Sequence, residues 1–110
     1  YKISIEETHH KDKLDSPSGT ALTLAKDIIE KNNRFNNWTT DKISNGISMI
    51  SRRKNKKIGV HNISFESEFD KINIQHEAYS RDAFAKGSII AAKWIKNKKG
   101  IFKMDDILGF

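Results

Sequence analysis

Apolar and polar residues alternate from the first position of the chain. Tyr1, Ile3 and Ile5 fall on one side and Lys2, Ser4 and Glu6 on the other. That period of two predicts a half-buried strand over residues 1–7. Residues 8–15 are polar and mostly charged, which suits a loop. The pattern then changes to a helical one. Leu22, Ala25, Ile28 and Ile29 make one stripe of a helix that ends near Asn32–Asn33. Ser16 is placed to cap it, with Pro17 in the first turn, where no backbone donor is missed. Residues 33–46 are rich in Asn and Thr and read as irregular, with Trp38 as an anchor.

Three shorter apolar runs follow. Ile47–Ser51 predicts a strand, Arg52–Lys57 an exposed basic turn, and Val60–Glu66 and Lys71–Tyr79 two more strands. In the last of these Ile72, Ile74, His76 and Ala78 share a face. The connection at Glu68–Asp70 is short enough for a hairpin. Ser80 is placed to cap a second helix with the stripe Ala83, Phe84, Gly87, Ile90, Ala91, Trp94 and Ile95. Lys98–Gly100 ends it, and Met104–Leu108 forms one more short turn. The order β-α-β-β-β-α predicts an α+β fold: a mixed sheet of about four strands with helices on one face.

Composition narrows this picture. A chain of 110 residues with 36% hydrophobic and 31% charged positions is one domain's worth, with a modest core. No apolar run approaches the ~20 residues of a spanning helix, so no membrane partner is expected. The chain has no cysteine, which excludes disulfides, thiol nucleophiles and thiolate metal sites and fits a cytoplasmic location. A net charge of +6 points to an anionic partner, or to lysines that are simply solvated. A chain that opens on Tyr1, inside a strand pattern, reads as a segment of a longer polypeptide.

The stretch His9 to Thr20 carries the candidate chemistry. Two imidazoles, His9 and His10, and two ammonium groups, Lys11 and Lys13, lie just ahead of a helix start made of Ser18, Gly19 and Thr20. Unpaired backbone N–H groups and the partial positive charge of a helix start favour an anion. Gly19 allows close approach to the backbone, and Thr20 adds a hydroxyl. Each feature has a plainer reading. Pro and Gly near a helix start are common punctuation, and a His pair is also half of a zinc site. Zinc needs further ligands, and the only other histidines, His61 and His76, sit in strand patterns, so no metal is expected. What favours a site is that imidazole, ammonium and helix start lie so close together.

The order Glu7-x-His9-His10-x-x-Lys13-x-Asp15-x-Pro17-Ser18-Gly19-Thr20-Ala21 resembles the signature of the dihydrodipicolinate reductases. His76-x-Ala78-x-Ser80-Arg81-x-x-Phe84-Ala85-x-Gly87 is similar to a second stretch of that family. Gly100-Ile101-Phe102-x-Met104-x-Asp106-Ile107-Leu108 resembles its C-terminal end. The resemblance covers essentially the whole chain, in the family's order.

It implies the family's C-terminal substrate-binding and oligomerisation domain over residues 1–110, without the N-terminal Rossmann domain. It also implies an NADH- or NADPH-dependent reduction of a small cyclic dicarboxylate, with loss of water, in lysine and diaminopimelate biosynthesis. By resemblance, His9 is the proton donor/acceptor and Lys13 a second donor. His10 contacts substrate, and Gly19 with Thr20 holds a carboxylate. Arg81 matches the arginine after the family's last strand and is a candidate for substrate or cofactor contact, or an ordinary first-turn residue.

The physics agrees with these roles. Two carboxylates need cationic and N–H donors at both ends. Hydride arriving at one carbon leaves charge that a histidine and a lysine can neutralise. His9 and His10, adjacent in an extended segment, should face opposite sides and play different parts.

The basic turn Arg52–Ile58 is given no site, and His61 and His76 are read as strand residues. The sequence holds no G-x-G-x-x-G, so the resemblance implies that the cofactor is bound mainly by the Rossmann half and that this segment alone is inactive. It further implies a homotetramer, and a second helix whose apolar stripe packs onto the nucleotide domain. Two other classes are a catalytically inactive oligomerisation domain and a small basic nucleic-acid-binding module. Against the last, the aromatics form no RNA-binding pattern and the basic residues are scattered, so no nucleic-acid partner is expected.

Overall fold

The computed structural model describes residues 1–41 and 46–110. Part of the irregular stretch expected over 33–46 therefore lies outside the described residues. The chain divides into two compact units, Tyr1–Tyr79 and Ser80–Phe110.

The first unit holds β1 (Lys2–His9), α1 (Gly19–Lys31), β2 (Trp38–Thr39), β3 (Ile47–Arg53), β4 (Gly59–Glu66) and β5 (Lys71–Ala78). The sheet order is β2-β3-β1-β4-β5. β1 runs parallel to β3 and antiparallel to β4, β2 is parallel to β3, and β4 and β5 form an antiparallel hairpin. The α+β class and the mixed sheet are as expected. The fifth strand is β2, two residues at an edge, where Trp38 and Thr39 pair with Ile47 and Ser48. A strand this short leaves no alternation for a sequence pattern to reveal.

Two boundaries differ for one reason, pairing between strands. β1 continues through Thr8 and His9 because β3 and β4 flank it. Thr8 pairs with Arg52 on one side and Val60 on the other, and His9 pairs with Arg53. β3 likewise continues through Arg52 and Arg53, which the sequence assigns to a turn. Cross-strand pairing with β1 overrides polar composition.

Side-chain period and register set one face of the sheet. Its rows are Ile47, Met49, Ser51 and Arg53 on β3, and Ile3, Ile5, Glu7 and His9 on β1. Phe65, Ile63, His61 and Gly59 continue it on β4. The core occupies the apolar end: Ile3, Ile5, Ile47 and Met49 are buried with Ala21 and Ala25 of α1 and with Phe35. Small residues on α1 let the helix sit close to the strands. The predicted stripe holds at Ala25, Ile28 and Ile29, but Leu22 is exposed and Ala21 takes the buried place.

The cap of α1 is Ser18, not Ser16. Ser18 is extended (φ −66°, ψ 152°) and its Oγ accepts from the Ala21 N–H at 3.2 Å. This satisfies one of the helix's free donors. Pro17 lies ahead of the cap, outside the first turn.

In the second unit, α2 (Asp82–Ile95) and α3 (Met104–Leu108) are as expected. The N-cap of α2 is Arg81, without a side-chain cap bond, while the Ser80 Oγ accepts from the Asp82 N–H. No residue of α2 is buried, and Phe84, Ile89 and Ile90 are more than half exposed. Trp94 meets Phe102 edge to face at 5.2 Å, with the Lys98 ammonium 3.8 Å from the indole centroid. No helix among the described residues is long and apolar enough to cross a membrane.

Candidate active site

The face that is apolar at Ile3 and Ile5 becomes polar two rows on. Glu7 is wholly buried, and His9 is 8% exposed. Both point to the side of the sheet that α1 covers. The Glu7 Oε2 is hydrogen-bonded to the His9 Nδ1. Its other oxygen, Oε1, accepts from Arg53 Nη1 at 3.0 Å. Burial pushes the Glu7 carboxyl up. The Ser51 hydroxyl opposite it, the Arg53 guanidinium and the His9 imidazole together outweigh that, so Glu7 lies below the usual carboxylate range. Of these, Ser51 makes no hydrogen bond of ordinary geometry, while Arg53 and His9 each engage one oxygen of the carboxylate. Glu7 is therefore an ionised carboxylate in the interior, which is tolerable only because it is paired and hydrogen-bonded.

Arg53 also binds the loop after β1. Its Nε donates to the Lys13 carbonyl at 3.3 Å and its Nη2 to the Asp15 carbonyl at 2.6 Å. The Lys54 N–H donates to the His9 carbonyl at 2.8 Å, and the Lys13 N–H to that of His10 at 3.3 Å. The loop carrying His10 and Lys13 is thus tied to the end of β3. Lys13 Nζ donates to both oxygens of Asp15, at 2.7 and 2.8 Å. That contact holds the Asp15 carboxyl below its ordinary value. His10 is half-buried, with Nδ1 3.8 Å from the Asp12 carboxylate.

His61, opposite Glu7 on β4, joins the two halves of the site. Its ring meets that of His9 edge to face, with centroids 5.0 Å apart. Its Nε2 lies 3.0 Å from the Ser18 Oγ. Burial pushes the His61 imidazole down. The His9, His76 and Lys13 charges act the same way, against the Glu7 carboxylate. The Ser18 hydroxyl is hydrogen-bonded to this ring and also accepts the Ala21 N–H. The contacts His9–His61–Ser18 thereby bring the imidazole beside the N-terminus of α1. There Gly19 and Thr20 are exposed, and a methyl group added to Gly19 would meet nothing within 4 Å. The first N–H groups of a helix have no intrahelical acceptor, so this end is open to an anion.

Gly59 completes the site. A Cβ built there would lie 3.1 Å from the His9 Nε2. The absence of a side chain leaves room for the ring nitrogen that Glu7 does not engage.

Five of the residues proposed from sequence, His9, His10, Lys13, Gly19 and Thr20, thus lie in one unit around the end of β1. Arg81 belongs to the second unit, at the start of α2. Sequence reasoning missed Glu7, Arg53, His61 and Gly59. Glu7 stands in the motif and carried a signal: a carboxylate on the apolar parity of a strand. His61 has the same parity on β4. Arg53 carried none, because its role depends on strand register. Among the described residues no three His, Asp or Glu side chains converge as a metal would require. A wide concavity lined by Tyr1, Ile3, Arg34 and Phe35 lies at the other end of β1 and includes none of these groups.

With this geometry in hand, comparison with known proteins decides the family. Residues 1–108 match the family model "Dihydrodipicolinate reductase, C-terminus". The chain belongs to this family. It is 46% identical over 109 residues to the 4-hydroxy-tetrahydrodipicolinate reductase of Christiangramia forsetii, covering 98% of the chain and 46% of that protein. It is 41% identical over 118 residues to the enzyme of the same name from Buchnera aphidicola subsp. Cinara cedri, covering 96% and 42%. Among solved structures it is similar to a dipicolinate-bound dihydrodipicolinate reductase from Paenisporosarcina sp. TG-14. The TM-score is 0.72 at 26% identity, over 96% of this chain and 44% of that one. The chain therefore spans less than half the length of the relatives it matches.

Proposed function

We propose that this chain is the substrate-binding portion of a 4-hydroxy-tetrahydrodipicolinate reductase. The whole enzyme reduces its cyclic dicarboxylate at the expense of NADH or NADPH, with loss of water, in lysine and diaminopimelate synthesis. The observation that carries the reading is the contact chain His9–His61–Ser18, which sets an imidazole beside a helix N-terminus open to a carboxylate. His9 serves as proton donor and acceptor. Lys13 is a second donor that exchanges Asp15 for the substrate. His10 contacts substrate, and the Gly19 N–H with the Thr20 hydroxyl holds one carboxylate. A structural relative solved with dipicolinate supports a small dicarboxylate as ligand.

The chain's own residues do not suit a dinucleotide. The helix directly after β1 begins with a single glycine, Gly19, and the loop before it carries His, Lys and Asp side chains. Hydride transfer is thus the work of residues outside this chain, which holds the dicarboxylate and moves the proton. The exposed apolar residues of α2 suit cover by such a nucleotide-binding domain, with Arg81 near that junction. The sheet suits assembly into a homotetramer.

The test is calorimetric titration with pyridine-2,6-dicarboxylate. Binding that weakens about tenfold or more in Thr20→Val and His10→Ala is expected, roughly 1.4 kcal/mol or more for each lost charged contact. An inactive oligomerisation domain would bind no dicarboxylate. Binding that is equal in wild type and both variants would overturn the assignment of these residues.

A further inference from the structure

We propose that Glu7 is the positioning residue of this site. Anchored by Arg53, it keeps the proton of His9 on Nδ1 and so makes Nε2 the atom that exchanges a proton with substrate. The inference rests on the reading of His9 as proton donor and acceptor and adds to it a partner and a named atom.

Glu7 occupies the strand position that follows Ile3 and Ile5 on the same face, and it is wholly buried. An apolar residue there would continue the core, and an ionised carboxylate in that place is seldom favourable for stability alone. Its two oxygens have separate partners: Oε1 accepts from Arg53 Nη1, and Oε2 faces His9 Nδ1. An ionised carboxylate only accepts hydrogen bonds, so the nitrogen facing it carries the hydrogen. The other nitrogen, Nε2, is the one against Gly59, where no side chain intrudes. When the imidazolium gives its Nε2 proton to substrate, it keeps Nδ1–H on Glu7. When it takes a proton, the lone pair on Nε2 receives it. The carboxylate does not itself change protonation state. It fixes the tautomer and aims the ring.

Arg53 makes the idea sharply testable. In Glu7→Gln the guanidinium still requires an oxygen acceptor at the Oε1 position. The amide must therefore turn its NH2 toward His9. An NH2 donates, so Nδ1 must become the acceptor and the ring proton moves to Nε2. The variant is nearly isosteric, yet it reverses the tautomer.

The experiment uses a reductase that contains this chain together with its nucleotide-binding domain. Three quantities are read: the 15N spectrum of the neutral His9 ring, kcat and KM for the dicarboxylate substrate, and the cooperativity of thermal unfolding. Wild type is expected to show the Nδ1–H tautomer. Glu7→Gln should show the Nε2–H tautomer and a kcat lower by roughly 10²-fold or more, the usual scale of a misdirected acid–base group. Its KM should be nearly unchanged, because the carboxylate-binding end is intact. A folded Glu7→Gln protein with full turnover, or with the tautomer unmoved, would overturn the proposal. Should that variant fail to fold, the wild-type spectrum decides: an Nε2–H ring overturns the proposal without any substitution. His9→Gln in the same assays separates the two readings. If it retains turnover, the proton role of His9 fails. If it loses turnover while Glu7→Gln does not, only the pairing fails.

Discussion

The two ends of one sheet face use the same geometry for opposite purposes. At one end Ile3, Ile5, Ile47 and Met49 meet Ala21 and Ala25 of α1, and the contact is apolar throughout. At the other end, on the same strands and with the same side-chain parity, the rows hold Glu7, His9, Ser51, Arg53 and His61. Of these, His61 meets Ser18, the cap of the helix, and Arg53 meets the loop before it. The period of two that builds a core also aims a site, provided a partner of the right chemistry covers each row. An apolar row needs a helix face. A polar row needs paired charges, and the N-terminus of α1 offers a place for one more anion. The difference teaches that the core and the candidate site are divided along the strand, not between layers.

The sharpest test of that division is a double dissociation. Ile5 is fully buried at the apolar end. Ile5→Ala is expected to cost about 2–5 kcal/mol of stability, as buried aliphatic truncations do. The affinity of the folded fraction for dipicolinate should hardly change. Denaturant titration beside calorimetry reads both, and a comparable loss in each would break the comparison. Lys13→Ala at the polar end should do the reverse. Its exposed pairing with Asp15 contributes little, so stability should stay within about 0.5 kcal/mol, while turnover of the complete reductase falls roughly 10²-fold or more.

A smaller effect is expected where the two ends share an element. Ser18 caps the helix that covers the core, and it also contacts His61. Ser18→Ala should cost about 1 kcal/mol, the usual worth of a serine cap, and should weaken dipicolinate binding as well. A loss of stability with binding untouched would show that the helix start does not serve the site.

The smallest effect concerns pH. Burial lowers the affinity of the folded-state His61 for a proton relative to the unfolded chain. The unfolded state therefore takes up the proton first as pH falls, and stability should decline below about 6.5, the ordinary histidine value. Glu7 adds a second decline at lower pH. Its carboxyl also lies below the ordinary value in the fold, so its contribution is present above about 4.3 and is lost as pH falls through the folded value. In His61→Asn the upper decline should vanish and the lower one remain. Unfolding midpoints between pH 7 and 3 distinguish them. A variant whose upper decline persists would remove His61 as its source.

Much of this was legible in the chain. Alternation exposed β1, β4 and β5, and helical spacing exposed α1 and α2. The dense motif from His9 to Thr20 pointed to residues that the fold gathers around the end of β1 and the start of α1. Resemblance then supplied a family that the comparisons bear out. Boundaries were less legible. Thr8, His9, Arg52 and Arg53 read as loop because they are polar, and only the pairing of β1 with β3 makes them strand. β2 was invisible at two residues. Ser18 displaced Ser16 as the cap, a choice made by backbone angles that both serines could have adopted in isolation.

By itself, then, the sequence determined which residue types would be available. It provides two imidazoles, an ammonium group and a helix start within one short stretch, and apolar residues in periods that commit them to strands or helices. These are local properties, written in spacing a few residues long. The tertiary structure decided who meets whom. Register set Glu7 beside Ser51 and His61, ran Arg53 under the loop of Lys13, and laid Gly59 against the His9 ring. Those partners are distant along the chain, as Arg53 is from Lys13 and His61 from Glu7. Hydrogen bonding across strands, not periodicity within them, brings them to the site.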